Sequence, residues 1–345
     1  MGRIVAAIKL ALDEHFPSDT GQNEDTAVMM ALKAARARTG RPKIAKCEGS
    51  YHGSYDFAEV SLDSSPATWG NADPKSVPYS AGTPQGVLDY VVVIPFNRTG
   101  EAERILRANA SDLACVMIDP MPSRGGLVPV QTGYLEMLRR VADETGMLLI
   151  YDEVISFRLG YGGAQGVYGV DPDITALAKI IGGGFPIGAI AGTQDAMAVF
   201  DPRRGKPLAP HGGTFNANPV SMTAGKVAMD LMTEAEFTRL DTLGQRLRDG
   251  VARAFQQTGV DGQVTGAGSL FRIHMHALPL VDYRSAHAAG IEASALDRVT
   301  RALRDTGVLI AGTGLGALST PMGEAEVDLF IETFTGALEK EAAQT

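Results

Sequence analysis

Apolar residues along the chain alternate between helical spacing and short continuous runs. Helical patterns that close at glycine or lead into a strand cover 26–38, 101–108 and 134–145. Strand-length apolar runs cover 43–47, 90–96, 113–118 and 148–154. This rhythm of strands and helices predicts an α/β fold, in which helices cover both faces of a mostly parallel sheet.

Beyond residue 218 the pattern changes. Long helices are predicted at 221–231 and 235–258, strand-like runs at 263–265 and 270–275, and a last helix at 324–343. This order is typical of a separate α+β lobe, and 345 residues suffice for two lobes. We therefore predict a large domain over 1–220 and a smaller C-terminal α+β domain over 221–345.

Charge and composition exclude several classes of protein. The formal charge of −9 argues against nucleic acid as a partner, since phosphate binding needs a basic surface. No apolar run approaches the ~20 residues that span a bilayer. The first helix-like stretch carries Lys9, Asp13 and Glu14, which an apolar signal-peptide core would lack. We expect a cytoplasmic location, with Cys47 and Cys115 as buried, reduced thiols.

One candidate for chemistry is the apolar run 148–154, which contains Asp152 and Glu153. Ligands of open α/β sheets collect at the carboxyl ends of strands. Successive side chains alternate across a strand, so only one of the two carboxylates can face a given site. The alternative interpretation is a capped strand end without a catalytic role.

A second candidate is Lys179, which lies in an apolar stretch and is followed closely by Gly182, Gly183 and Gly184. Apolar surroundings lower the pKa of an amine and make it a nucleophile toward aldehydes. The glycines would let the backbone pass close to a bulky planar ligand. A lysine extending from a strand edge is the alternative. A dinucleotide site is disfavoured, because the glycines do not open a helix after a first strand.

A third candidate is the segment 211–219, His-Gly-Gly-Thr-Phe-Asn-Ala-Asn-Pro, just before a predicted helix. Small residues, a hydroxyl group and amides at such a position suit a phosphate-binding turn. On its own the segment indicates only a turn.

Taken in order, these stretches resemble the class III (omega) aminotransferases and the glutamate-1-semialdehyde aminomutases, which are fold-type I pyridoxal-phosphate enzymes. The matching motifs are Glu-Gly-Ser-Tyr-His-Gly at 48–53, Tyr-Asp-Glu-Val at 151–154, Lys-Ile-Ile-Gly-Gly-Gly-Phe-Pro-Ile-Gly at 179–188 and Gly-Thr-Phe-Asn-Ala-Asn-Pro at 213–219. The resemblance covers about residue 26 to the C-terminus. It implies transfer of an amino group between an amino acid or amine and an oxo acid. A semialdehyde-type aminomutase is the alternative reaction.

The resemblance also implies roles for single residues. Lys179 would form the Schiff base with pyridoxal phosphate and later move the proton between substrate and cofactor. Asp152 would pair with the pyridine nitrogen and keep it protonated. Val154 would pack on one face of the ring and Tyr51 on the other, with His52 beside it. For Tyr51 and His52, purely structural roles are the alternatives.

The phosphate end of the site is where the resemblance departs from the family pattern. Thr214 would reach the phosphate across a dimer interface, so a homodimer is expected. The segment 18–26 stands where the family carries a Ser-Gly-Thr-Glu loop, yet it contains Asp19, Glu24 and Asp25. Each carboxylate would repel a phosphate by ~1 kcal/mol. Thr26 is still a candidate for contact with the phosphate.

The altered segment and the short stretch before it favour, as an alternative of another class, a truncated paralogue that dimerises or binds ligand without catalysis. The arginine that would bind a substrate carboxylate is Arg124, Arg158 or Arg272. For each of them an ordinary ion pair is the alternative.

Overall fold

The computed structural model describes residues 24–287 and 290–343. The predictions for Asp19 and the rest of 18–23 lie outside these residues. By its internal contacts the chain divides into two compact units. The first contains the described residues up to Pro120 together with Val130–Thr233, and the second contains Met121–Pro129 and the described residues from Glu234 onward. The helix that follows residue 218 is thus grouped with the first unit.

The first unit is built from alternating helices and strands. Its helices are α1 (Glu24–Thr39), α2 (Asp56–Glu59), α3 (Gln85–Asp89), α4 (Thr99–Ala108), α5 (Thr132–Thr145), α6 (Gly163–Tyr168), α7 (Gln194–Met197) and α8 (Pro219–Leu231). Its strands are β1 (Lys43–Cys47), β2 (Val91–Ile94), β3 (Leu113–Ile118), β4 (Leu148–Asp152), β5 (Ile174–Ala178) and β6 (Gly188–Gly192). Short 3-10 helices cover Ser156–Leu159, Lys179–Gly182, Ala198–Phe200 and Pro202–Arg204.

These strands form a six-stranded sheet in the order β2-β1-β3-β4-β5-β6. Neighbours from β2 to β5 are parallel, and β6 runs antiparallel to β5 with Thr175 opposite Ala191. The predicted α/β fold with a mostly parallel sheet is confirmed. Strand β6 was not predicted, because its glycines and alanines have low strand propensity and its pairing with β5 determines its conformation.

Helices cover both faces of the sheet, as predicted. Alternate residues of a strand enter different cores: Ile44 packs in the core under α1, and Ala45 packs in the core under α4 and α5. Both side chains are fully buried. Since the buried strands carry apolar residues on both faces, the carboxyl ends of the strands are where polar side chains can emerge.

The second unit contains an antiparallel sheet, β7-β8-β9, and long helices. Its strands are β7 (Gln263–Thr265), β8 (Leu270–His274) and β9 (Leu315–Ala317), and its helices are α9 (Glu234–Thr258), α10 (Tyr283–Ala286), α11 (Gly290–Asp305) and α12 (Glu324–Ala342). Phe255 on α9 meets Phe334 on α12 edge to face, with ring centroids 5.4 Å apart. The unit has the α+β character that the sequence pattern predicts.

Cys47 and Cys115 are both buried and form no disulfide. Burial raises the pKa of each thiol to about 12, so neither ionises at neutral pH. The prediction of buried, reduced thiols is confirmed. Separately, across 24–287 and 290–343, no helix has both the length and the apolar composition needed to cross a membrane.

Candidate active site

A buried hydrogen bond joins the end of β4 to the segment after β1. Asp152, the last residue of β4, has Oδ2 2.7 Å from Nδ1 of His52. Its other oxygen, Oδ1, accepts the backbone N–H of Val154 at 3.1 Å. The sequence placed His52 beside Tyr51 at the ring, and the structure instead pairs it with Asp152. Two of the predicted site residues are therefore held together by a direct bond.

The imidazole of His52 is fully enclosed. Burial lowers the pKa of His52, although the bond to Asp152 acts in the opposite direction. A neutral ring that donates its Nδ1 hydrogen to the carboxylate suits both effects. The other nitrogen, Nε2, is buried and has no hydrogen-bond partner within the described part of the chain. The ring therefore fixes one oxygen of Asp152.

Lys179 is the first residue after β5 and starts a 3-10 turn. Its φ angle is +51°, a left-handed conformation that L residues other than Asn and Asp seldom adopt. Its side chain is exposed, whereas Ala176 and Ala178 before it are buried. The prediction of apolar surroundings for this amine is wrong, because the strand ends at Ala178 and the backbone turns outward at the lysine.

Two of the three glycines after Lys179 are needed for packing within the protein. A Cβ on Gly183 would lie 2.4 Å from the carbonyl oxygen of Ala224 on α8. A Cβ on Gly182 would lie 2.7 Å from Cγ2 of Ile187. Gly184 has open space around it. The sequence assigned all three to close approach by a ligand, but Gly182 and Gly183 serve to seat the turn against its own neighbours.

Tyr51 and Val154 are brought to the same cluster by chain connectivity. Tyr51 precedes His52 and is half-buried, and Val154 is buried and donates its N–H to Asp152. The arrangement joins four of the predicted ring-binding residues at the carboxyl ends of β1 and β4. Their packing on the two faces of a cofactor ring stays a prediction.

Lys46 on β1 is a residue that the sequence analysis missed. It is fully buried, and its Nζ donates to the carbonyl oxygens of Ser50 at 2.9 Å and Val60 at 2.7 Å. Burial lowers the pKa of this amine to about 7. Because it binds both ends of the segment 50–60, Lys46 holds in place the loop that carries Tyr51 and His52. A lysine inside an apolar strand was the available signal.

The first turn of α1 lies against the same loop. Asp25 Oδ1 accepts the backbone N–H of Ser54 at 3.0 Å, and a Cβ on Gly53 would lie 2.3 Å from that oxygen. Thr26 is half-buried beside it. The predicted acidic residue therefore stands at the start of α1 and is already bonded to the backbone. Repulsion of a phosphate by this carboxylate stays a prediction.

The segment before α8 differs from a phosphate-binding turn. Asn218 caps the helix, and its Oδ1 accepts the N–H groups of Val220 at 3.0 Å and Ser221 at 3.3 Å. These are amides that a phosphate would use at a helix start. Thr214 is exposed. Its contact with a cofactor phosphate stays a prediction.

Of the candidate arginines, Arg272 bonds backbone carbonyls of the second unit. Its Nη1 donates to Ser123 O at 2.6 Å and its Nε to Thr313 O at 3.2 Å. Arg124 is exposed. Arg158 is half-buried, and burial lowers its pKa. The contacts of Arg272 favour the structural alternative for that residue.

The mostly parallel sheet, with an aspartate at the end of one strand and a lysine just past the next, matches the class of fold-type I pyridoxal-phosphate transferases. The chain belongs to the class III aminotransferase family, whose model, described as aminotransferase class-III, matches residues 2–324. Members of this family are pyridoxal-phosphate-dependent aminotransferases and aminomutases, so the family is one of enzymes. The resemblance stated from the motifs is confirmed.

Individual relatives agree with this assignment. The chain is 37% identical over 318 residues to the glutamate-1-semialdehyde 2,1-aminomutase of Ignicoccus hospitalis, which covers 90% of this chain and 72% of that protein. A crystal structure of an omega-transaminase from Sphaerobacter thermophilus is 51% identical, with a TM-score of 0.93 over 98% of this chain and 78% of that one. A transaminase with pyridoxal phosphate bound is 40% identical, with a TM-score of 0.87 over 100% of this chain and 79% of that one.

The residues present fit the ring end of pyridoxal phosphate. Asp152 is a carboxylate fixed by a buried histidine, as a partner for a protonated ring nitrogen requires. Lys179 is an exposed amine one strand away, where an aldehyde can reach it. At the phosphate end the fit is weaker, because the carboxylate of Asp25 stands at the start of α1.

Proposed function

We propose that this chain is a pyridoxal-phosphate-dependent aminotransferase that moves an amino group between an amino acid or amine and an oxo acid. The observation that carries the proposal is the buried 2.7 Å bond between Asp152 and His52, one strand away from Lys179. A buried aspartate with a fixed orientation suits a cationic ring nitrogen, which could bond to Oδ1 beside the N–H of Val154. A cytoplasmic location belongs to this proposal and is supported by composition alone.

The cofactor, when bound, supplies an electron sink for the carbanion that forms at the substrate α-carbon. The protein residues do the rest. Asp152 holds the ring nitrogen protonated, and His52 keeps Asp152 in place. Lys179 Nζ would be the amine that holds the cofactor, and the same amine would be the base that accepts the proton from the substrate α-carbon. Tyr51 and Val154 confine the ring between them, and Thr26 and Thr214 are the hydroxyls offered to the phosphate.

Cofactor binding tests the proposal directly. The purified protein titrated with pyridoxal phosphate is expected to gain a visible absorption band, and borohydride is expected to fix the cofactor to Lys179 in a peptide map. Lys179→Ala should abolish the borohydride adduct. Lys206→Ala is the matched control, because Lys206 is also exposed but lies outside the site. If the wild type forms no adduct, the protein is the non-catalytic paralogue considered above.

A semialdehyde-type aminomutase is the second candidate, and the 37% identity to a protein of that name over 90% of the chain favours it. The two reactions share the residues named above and differ in whether a second substrate is required. An amino-donor panel assayed with and without pyruvate or 2-oxoglutarate separates them. Turnover that needs an oxo acid supports the aminotransferase, and isomerisation without one supports the aminomutase.

We further propose a homodimer. The exposed side of α8 is apolar, with Val220, Val227 and Leu231 each more than half exposed. Phe215, which follows Thr214, is 59% exposed. An apolar patch next to a predicted phosphate contact is what a site shared between two copies requires.

A further inference from the structure

Glu153 is a buried carboxylate that the proposed chemistry does not use. It follows Asp152 and is fully buried. Its Oε2 accepts the backbone N–H of Ala164 at 2.6 Å, and its Oε1 accepts the backbone N–H of Gln165 at 3.3 Å and the side-chain Nε2 of Gln165 at 3.0 Å. Three donors around one carboxylate tie the end of β4 to the start of α6.

The same group also reaches β5. Gln165 Nε2, which donates to Glu153, lies 3.3 Å from Oγ1 of Thr175 on β5. The backbone N–H of Glu153 donates to Ala176 O on the same strand at 2.9 Å. The strand that ends in Asp152 and the strand that leads into Lys179 are paired along the sheet up to Asp152 and Ala176. Glu153 extends this pairing beyond the end of β4 through buried hydrogen bonds.

Gly163 gives an independent indication that this space is built for the carboxylate. Its φ angle is +71°, and a Cβ on it would lie 2.4 Å from Oε2 of Glu153 and 3.0 Å from the ring of Phe157. Only a residue without a side chain lets the turn before α6 close over the oxygen. The turn and the carboxylate thus fit each other closely.

We propose that Glu153 is a positioning residue that fixes the carboxyl ends of β4 and β5 relative to each other. The inference rests on the proposed function, since Asp152 and Lys179 are the groups whose separation it sets. Asp152 faces His52, and Glu153 faces α6 on the other side of the strand. Movement at Glu153 is transmitted to both groups, because buried donors that lose their acceptor pull the surrounding backbone out of register.

Glu153→Gln is the test variant and Asp173→Asn the matched control. The glutamine keeps the shape of the side chain, but its amide NH₂ group replaces an oxygen that accepts hydrogen bonds from Ala164 and Gln165. Asp173 links the same two strands at their opposite ends, because its Oδ2 accepts the N–H of Leu149 at 2.8 Å. Hydrogen exchange on the cofactor-free full chain gives a readout that does not depend on activity. Glu153→Gln is expected to speed exchange in both 154–165 and 174–182, while Asp173→Asn is expected to leave 179–182 unchanged.

Titration with pyridoxal phosphate gives the second readout. Glu153→Gln is expected to weaken cofactor affinity about tenfold, because the separation of Asp152 and Lys179 is no longer fixed by the bonds of Glu153. Asp173→Asn should retain the wild-type affinity for the cofactor, even if its melting temperature falls as much as that of Glu153→Gln. Faster exchange confined to 154–165, with 174–182 and the affinity unchanged, overturns the positioning role.

Two further outcomes are distinguishable. If the wild type binds no cofactor, the proposed function fails, and the exchange data still decide whether Glu153 couples the two strands. If Glu153→Gln does not fold, Gln165→Ala removes the side-chain bridge from Glu153 to Thr175 and keeps the two backbone N–H donors on the carboxylate. It should then speed exchange in 174–182, and its failure to do so counts against the proposal.

Discussion

Asp152 and His52 stand 100 positions apart in sequence and share a buried hydrogen bond of 2.7 Å. Because β1 and β4 are separated by β3 in the sheet, the histidine must reach across from the loop after β1. The bond fixes the orientation of the Asp152 carboxylate. Lys46 in turn holds the loop that carries His52. The orientation of Asp152 thus depends on His52, and the position of His52 depends on Lys46.

Removing the histidine should weaken the hold on Asp152. His52→Ala is expected to lower the affinity for pyridoxal phosphate about tenfold, because the carboxylate loses a fixed hydrogen bond in a buried place. His52→Asn, which can still donate to Asp152, should recover most of the affinity. The measurement is cofactor titration by absorbance. Equal loss in both variants would show that the ring volume matters rather than the bond.

Lys46 should make stability depend on pH in the alkaline range. Its pKa is lowered from 10.5 to about 7, so its stabilising contribution is present above about 10.5 and is lost as pH falls toward about 7. Relative to Lys46→Met, the wild type is expected to gain unfolding free energy between pH 7 and pH 10, on the order of a few kcal/mol.

Urea unfolding at several pH values measures this difference directly. Lys43→Met serves as the control, because Lys43 lies on the same strand and is paired with Asp112 at 3.1 Å at the surface. A difference between wild type and Lys46→Met that does not change with pH would contradict the neutral buried amine.

Glu153 should act with the opposite sign in the acid range. Burial raises its pKa from 4.5 to about 7, so its contribution to stability is present below about 4.5 and is lost as pH rises through about 7. Relative to Glu153→Gln, the wild type is expected to lose about 3 kcal/mol of unfolding free energy over this range. Urea unfolding at several pH values measures this difference. If the unfolding free energies of the two proteins change with pH in the same way between pH 4.5 and pH 7, Glu153 does not titrate in that range.

Gly183 should tolerate no side chain. Gly183→Ala is expected to destabilise the first unit by about 2–4 kcal/mol, because the new Cβ meets Ala224 O at 2.4 Å and φ is +58°. Gly184→Ala carries only the backbone strain, since the space around Gly184 is open. It should cost about 1 kcal/mol. Thermal unfolding separates the two, and an equal loss at both positions would remove the role assigned to the contact with α8.

The apolar side of α8 should govern self-association. Val227→Asp or Leu231→Lys is expected to shift the protein from dimer toward monomer, because a charge would be buried against a second apolar surface. Leu309→Lys in the second unit is the control, being 78% exposed and outside that patch. Sedimentation velocity measures the state. A wild type that is monomeric at high concentration refutes the dimer and the role proposed for Thr214 with it.

Much of the first unit was predictable because its strands are buried on both faces and read as continuous apolar runs. The sequence also brought out Lys179, Asp152 and the Tyr-His motif, whose residue types are unusual at the ends of such runs. Strand β6 was missed, because a run of glycine and alanine has no strand signal of its own.

The supports of the site could not be predicted. The contact of His52 with Asp152, the three donors around Glu153 and the exposure of Lys179 depend on how segments distant in sequence come together. The glycines after Lys179 show the same limit. The requirement for glycine at 183 follows from the position of Ala224 on α8, and the requirement at 182 follows from the position of Ile187.

The left-handed backbone of Lys179 costs stability at a position where a reactive amine is needed for the proposed chemistry. Glycine would be the relaxed residue there, and a lysine is held in that conformation only by the surrounding fold. A chain under no demand to keep a reactive amine would gain stability by replacing it. The frequency with which Lys179 is replaced under selection for thermal stability alone would therefore show whether the protein still requires this amine.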